Sequence, residues 1–406
     1  MSAVESVFLE PLDVLFLRGN KLFGDPGSYG ESLVPPWPSV AAGALRSRML
    51  ADDGIDLTAF AAGQVTHPTL GTPAQPGSFA VTAFHLARRY ADGRVEALFA
   101  LPADLVVSEA APSALDVRAL SPTPLPLAGA GFACSFPLPL LPVLAEKERS
   151  KPASGYWLTA DGWKKYLAGQ VPAPTDLVKA SALWQIDPRV GVGLDAATGR
   201  AADGRLFSVQ AVAMVKRGHR IGIDKQTHQP ILADYDVGFL AAVSGAALPQ
   251  SGAVRLGGDG RAAAIHATAD FVLSAPDYAA MASARCCRLV LTAPGIFAAG
   301  WLPTGIIQTG DGEFRFDLHG VKGRLVCAAV PRAEVISGWD LALWRPKPAQ
   351  RAAPTGSVYW LELDTGVTAD ALRKLAETGL WSGSCEDAAR RAEGFNRVAL
   401  ACWSRA

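Results

Sequence analysis

The order of apolar patterns near the N-terminus constrains the fold most. Val7 to Leu17 (VFLEPLDVLFL) alternates and clusters apolar residues as a strand does, and the Arg18-Gly19-Asn20 that follows has turn composition. Beyond the loop LFGDPGSYGESLVPPWP, Ser39 is positioned to cap a helix running to about Leu50. Val40, Ala44, Leu45 and Met49 recur at helical spacing there, and Gly43 would let the helix approach a sheet closely. Phe79 to Leu86 and Val95 to Leu101 flank Tyr90-Ala91-Asp92-Gly93, a hairpin signal. Strand, helix, strand, strand points to a mixed α+β unit.

Similar signals continue. Thr159 or Asp161 can cap a short helix through Leu167, and Leu206 to Val215 has strand character. Val254 to Leu256 and Ala262 to Ile265 flank Gly257-Gly258-Asp259-Gly260-Arg261, so a glycine turn is expected to interrupt a strand where backbone comes close to something. A second set follows, with strands near Arg288 to Thr292, Arg324 to Val330 and Ser357 to Leu363, a helix capped by Thr368 and ended by Gly379, and a closing strand from Phe395 to Trp403. With 406 residues, 50% of them hydrophobic, the chain can bury more than one core. Two mixed units split near residue 272 are expected.

Enzyme signals are sparse. Gly191-Val192-Gly193-Leu194-Asp195-Ala196 satisfies the GxGxxA form of the dinucleotide fingerprint, but turn residues follow where that motif needs a helix, which favours a loop or hairpin. The histidines show neither HxH nor HExxH spacing, the cysteines form no CxxC pair, and neither GxSxG nor GxxxxGK[ST] occurs. No metal or cofactor is expected. His67 and His85 are the candidates for general acids in RNA cleavage, set against a packing role for each. The start MSAVESVFLEPLD lacks a basic n-region, and the uncharged run from Ala119 to Ala145 is broken by six prolines, so it reads as a buried extended loop rather than a membrane span. A reduced cytoplasm suits this composition.

Lysine plus arginine (38) equals aspartate plus glutamate (38), so any basic surface must be local. Arg189 to Lys225 holds seven basic residues against three acids, and Lys322 to Arg351 holds six against two. Arg18, Lys21, Arg46 and Arg48 add to the N-terminal loop and helix, with Phe23, Tyr29 and Trp37 as aromatic partners for bases. Charge runs are usually solvated faces, but arginines beside glycine turns can share phosphates with backbone amides.

Taken together, these motifs resemble the third-subunit family of the RAMP superfamily in type III-B CRISPR Cmr effector complexes. The resemblance is carried by Leu17-Arg18-Gly19-Asn20-Lys21-Leu22-Phe23, by Pro35-Pro36-Trp37-Pro38-Ser39 leading to Gly43-Ala44-Leu45-Arg46, and by Arg189-Val190-Gly191-Val192-Gly193-Leu194-Asp195 with Thr198, Arg200, Gly204, Leu206 and Phe207. Gly257-Gly258-Asp259-Gly260-Arg261 and Gly356-Ser357-Val358-Tyr359-Trp360 complete the order, which covers nearly the whole chain. Two departures stand out: Gly19-Asn20 replaces an acid common after the first arginine, and Glu393-Gly394-Phe395-Asn396 lacks the last glycine of the superfamily's terminal loop.

The resemblance implies an α+β chain of two ferredoxin-like (RRM-like) domains, residues 1–272 with insertions and residues 273–406. It implies a non-catalytic RNA-binding subunit that holds the crRNA 5′ handle and bridges the large polymerase-like subunit to the RAMP backbone subunits, touching target RNA only indirectly and no membrane. Its expected RNA contacts are Arg18, Asn20, Lys21, Phe23, Arg46, Arg189, Arg200, Gly257, Gly258, Gly260 and Arg261. The competing reading is a RAMP endoribonuclease that processes precursor crRNA.

Overall fold

A computed structural model describes residues 4–19, 29–110, 114–124, 136–146, 151–224, 227–268, 273–340, 343, 345–383 and 387–404. The chain is α+β and mostly strand. An eight-stranded sheet is built from β1 (Val4–Pro11), β2 (Ala80–Tyr90), β3 (Val95–Ala100), β4 (Tyr156–Leu158), β5 (Leu177–Lys179), β8 (Tyr235–Ser244), β9 (Ala253–Arg255) and β10 (Ala262–Ala267), in the spatial order β5-β4-β3-β2-β8-β1-β10-β9. Between β5 and β8 the chain makes a long hairpin of β6 (Trp184–Leu194) and β7 (Ala201–Met214). A six-stranded sheet follows, from β11 (Cys286–Leu291), β12 (Ile306–Gln308), β13 (Phe314–Leu318), β14 (Val321–Ala329), β15 (Val358–Leu363) and β16 (Val398–Cys402), ordered β12-β13-β14-β15-β11-β16.

The two sheets repeat one pattern. Four antiparallel strands lie as β10-β1-β8-β2 in the first and β16-β11-β15-β14 in the second, so in each the first strand of the four in chain order sits between the third and the fourth. Helix α1 (Pro38–Asp52) connects β1 to β2, and α3 (Ala369–Thr378) lies between β15 and β16. Strand alternation then sorts the side chains. Val7 and Leu9 join a core with Ala41, Leu45 and Met49 of α1, while Leu289 and Leu361 join another with Leu372 and Leu375 of α3.

The opposite faces meet. Phe8, Ala87, Phe99 and Leu240 of the first sheet, Trp163 and Tyr166 of α2 (Ala160–Leu167), and Val290, Val326, Trp360 and Ala401 of the second share one buried cluster. Burying a side chain such as Phe8 or Leu240 there is worth about 1.5–3 kcal/mol each. Neither sheet keeps an open apolar face along this contact.

Several expectations are corrected. The first strand stops at Pro11, because the backbone beyond it leaves the sheet and pairs Leu15 with Val212 of β7. Helix α1 begins at Pro38 rather than after a Ser39 cap, since proline at the first helical position needs no partner for its missing N–H. Gly257 to Arg261 connect the antiparallel strands β9 and β10 as a hairpin turn, not as a break within one strand. Within the expected buried loop, Ser121–Pro124 and Leu140–Val143 pair as a hairpin whose residues are half-buried or exposed; residues 125–135 lie outside the described set. The first sheet ends at Ala267 and the second opens at Cys286, and the division expected at 272 falls among residues 269–272, also outside the described set.

Candidate nucleic-acid interface

The glycine turn is fastened to the segment that follows β1. Leu12 donates to the Ala262 carbonyl (3.0 Å), and Gly258 donates to the Phe16 carbonyl (2.8 Å). Phe16 itself packs with Val14 against Val209 and Ala211 at the base of the β6–β7 hairpin. The Arg261 guanidinium lies 5.1 Å from the Phe16 ring centroid and donates to Asp13 Oδ2 at 2.7 Å. Arg18 Nη2 donates to Asp259 Oδ1 at 3.1 Å, across a surface where both side chains are about half exposed. Phe16 thus joins three pieces of chain that are remote in sequence.

Each glycine of the turn has its own role. A Cβ on Gly257 would stand 2.8 Å from the Phe16 carbonyl oxygen, at a φ of +82° that L side chains rarely adopt. On Gly258 a Cβ would find ordinary contacts, the nearest at 3.4 Å, and its amide is already committed to Phe16. Within the protein, the close approach is to Phe16, and it acts at Gly257 rather than at Gly258. Gly260 takes φ +65° over open space.

The structure brings Arg18, Gly257, Gly258, Gly260 and Arg261 together. Asn20, Lys21 and Phe23 lie outside the described residues. Arg46 belongs to another neighbourhood: its guanidinium sits 4.9 Å from the Phe79 ring centroid, and burial lowers its pKa, with Glu393 opposing. Arg189 pairs with Asp187 (2.8 Å) midway along the hairpin, opposite Val209, whereas Arg200 is exposed at the far end. Trp37 is buried with Ile336, Ala352, Trp381 and Phe395, so it offers no face to a base. In the terminal loop Asn396 is fully buried, accepting from Ile296 N–H (2.6 Å) and donating to the carbonyls of Ile296 and Leu380.

The dinucleotide-like glycines have a packing explanation. Gly191 faces Phe207 across the hairpin and Gly193 faces Arg205, so added Cβ atoms would come within 2.4 Å of the Phe207 ring and 3.0 Å of the Arg205 side chain. Both glycines seat bulky cross-strand neighbours. Asp195 closes the end of the hairpin by accepting from the N–H groups of Ala197 and Thr198 and from the Thr198 hydroxyl, bonds that hold its carboxyl below the usual range.

The histidines singled out for acid–base work are built in. His67 Nδ1 accepts from the backbone N–H of Thr69 and of Leu70 (3.1 Å each), and Nε2 lies 2.7 Å from Asp53 Oδ2, which assigns the ring proton to Nε2. His85 is buried against Phe99, and burial pushes its pKa down to about 4. No group of three or more histidine, cysteine, aspartate or glutamate side chains suited to a metal ion occurs among the described residues, and Cys286, Cys287, Cys327 and Cys402 are free thiols.

Residues 7–403 match the family described as CRISPR-associated protein (Cas_Cmr3). The chain belongs to this family. Among solved structures, this Cmr3-family chain is similar to a chain of the type III-B Cmr-beta bound to cognate target RNA and AMPPnP, at 13% identity and a TM-score of 0.45, covering 97% of this chain and 98% of that one. A second chain, from the type III-B Cmr-beta bound to cognate target RNA, aligns at 13% identity with a TM-score of 0.41, covering 87% of this chain and 86% of that one. No curated protein matches in sequence.

Proposed function

We propose that this chain is a non-catalytic RNA-holding subunit of a type III-B CRISPR Cmr ribonucleoprotein, with the 5′ handle of the crRNA as its ligand. Membership of the Cmr3 family over residues 7–403 carries the reading. Its partners are the large polymerase-like subunit and the RAMP backbone subunits, with target RNA reached through them, in the cytoplasm. Each half is a ferredoxin-like unit, residues 1–272 and 273–406, a reading supported by the shared strand order β10-β1-β8-β2 and β16-β11-β15-β14.

The glycine turn is the part of the handle site best supported by geometry. Arg18 and Arg261 flank it on the solvent side, and a guanidinium can exchange a carboxylate for a phosphate with little change of geometry. RRM domains stack bases on an open sheet. In this chain the corresponding faces of the two sheets pack in one core, so RNA is left with turns, hairpins and rims. Arg189 and Arg200 on the β6–β7 hairpin extend the same proposal, as do Asn20, Lys21 and Phe23. The backbone-bonded His67 and the apolar burial of His85 favour holding RNA over cutting it.

The test is crosslinking in the assembled, RNA-loaded complex. Crosslinks from Arg18 and the glycine turn to a crRNA with a constant 5′ end are expected, and purified chain should leave labelled repeat RNA uncut. A crosslink pattern confined to other subunits would overturn the proposal, and cleavage of repeat RNA would favour the endoribonuclease.

A further inference from the structure

The face of the first sheet that packs against the second changes character at one end. Phe8, Leu240 and Ala87 are buried in the shared core, but further along the same face come Glu10, one alternation beyond Phe8 on β1, Arg89, one beyond Ala87 on β2, and Asp236, two beyond Leu240 on β8, with His266 on β10 opposite Phe8. The turn after β7 reaches over this end. Val215 donates to Leu183 O and accepts from Val237 N–H, which delivers the basic run Lys216-Arg217-Gly218-His219-Arg220 to the rim.

Glu10 is the hub. Lys216 Nζ donates to its Oε1 at 2.7 Å, and His266 Nε2 (2.9 Å) and Arg89 Nη1 (3.6 Å) lie at its Oε2. Arg217 donates to Asp236 from its backbone N–H (3.0 Å) and from Nη2 (2.7 Å). Charge does not balance here. Arg89, Lys216 and Arg217 are three cations on two carboxylates, Glu10 and Asp236, whereas at the glycine turn Arg18 and Arg261 are matched one to one by Asp259 and Asp13. These cations are partly accessible, from 26% for Arg89 to 42% for Arg217.

We propose that Arg89, Lys216 and Arg217, ordered around Glu10 and Asp236, form a second phosphate seat for single-stranded RNA. The seat adjoins the glycine turn, since Asp13, which holds Arg261, lies three residues beyond Glu10 on the same strand exit. The two carboxylates keep long cationic side chains in place, and the surplus positive charge is what a phosphodiester meets. The proposal rests on the RNA-holding reading and extends the bound track past the turn to the rim of the sheet.

The experiment titrates a labelled oligouridylate into purified full-length chain over a range of salt, with inorganic phosphate as competitor and with thermal midpoints measured alongside. Lys216→Gln and Arg217→Gln should each weaken binding about threefold to tenfold and lower the slope of log affinity against log salt by about 0.7. Glu10→Gln should do the opposite and tighten binding, which a purely structural ion network would not produce even if the midpoint fell. Phosphate should compete only weakly, because one ion cannot span the seat and the turn; strong competition would reassign the seat to a free anion. Unchanged affinity and slope in both cation variants, with Arg18→Ala still weakening binding, would overturn this seat alone. Wild-type chain that binds no oligouridylate would overturn the seat together with the RNA-holding reading.

Discussion

Arg288 Nη1 lies 2.6 Å from Asp104 Oδ2, and the pair is buried between the two sheets. Arg288 belongs to β11, whereas Asp104 follows β3. The guanidinium also donates from Nη2 to the carbonyls of Tyr166 (3.1 Å) and Cys402 (3.0 Å), and the Tyr166 hydroxyl donates to Asp104 Oδ1 (2.8 Å). Burial above all pushes the Tyr166 phenol well up, so it stays a donor. This network fixes α2 and both sheets in one register.

Removing one partner of a buried ion pair leaves the other charged and unpaired, at a cost of about 3–5 kcal/mol. Asp104→Ala should lower the denaturation midpoint of both halves together, and Tyr166→Phe should cost only about 0.5–1.5 kcal/mol for one hydrogen bond. Urea unfolding followed by tryptophan fluorescence checks this, because Trp157 and Trp163 report on the first half and Trp360 and Trp381 on the second. Two separate transitions, with only one moved, would refute the shared core as a coupling layer.

The glycine turn gives a sharper contrast. Gly257→Ala meets both a positive φ and the Phe16 carbonyl, so it should destabilise the free protein by about 1–3 kcal/mol. Gly258→Ala meets neither and should shift the thermal midpoint little. Equal losses from the two would show that the contact with Phe16 is not what selects glycine.

How much of this was legible follows from the range of each interaction. The hairpin of β2 and β3 and the Thr368 and Gly379 boundaries of α3 are local, and the expected bounds fall within a few residues of the observed ones. The arginines and glycines of the turn were visible as residue types beside a turn. Their partners were not: Asp259 lies 241 positions from Arg18 and Asp13 lies 248 from Arg261, so nothing local announces that each cation is already matched. Arg46 stands apart from the turn for the same kind of reason, because it lies over Phe79 and feels the charge of Glu393 from the other end of the chain. Gly191 and Gly193 gave a motif, and only the register opposite Phe207 and Arg205 reveals them as seats.

His85 makes stability depend on pH. Its folded pKa of about 4 lies below its unfolded value near 6.5, so between these values the unfolded chain binds more protons. Stability from the neutral ring is therefore fully present above about pH 6.5 and is lost as pH falls toward 4, by roughly 3 kcal/mol at most. His85→Phe should flatten the dependence of the unfolding free energy on pH across that window while leaving guide-RNA length unchanged. An unchanged pH profile would mean that other groups dominate acid sensitivity.

Arg18 and Arg261 should respond differently although both flank the turn. Arg18 is 43% exposed and meets Asp259 at a solvated surface, where an ion pair contributes about 0–1 kcal/mol to folding. Arg18→Ala should therefore leave the thermal midpoint nearly unmoved while weakening handle protection by the loss of a charge-assisted bond to phosphate, about 1–3 kcal/mol. Arg261 lies over Phe16, and its Nε is buried. Arg261→Ala should then lower both stability and RNA protection, and Arg261→Lys should recover neither in full, because a point charge lacks the planar group that covers the ring. Nuclease footprinting of the handle in reconstituted complex, read beside calorimetry of the free subunit, separates the two effects. If Arg18→Ala destabilised the free subunit as much as Arg261→Ala, the turn would be a structural clasp whose arginines serve the fold, and RNA contact would have to be sought elsewhere on the rim.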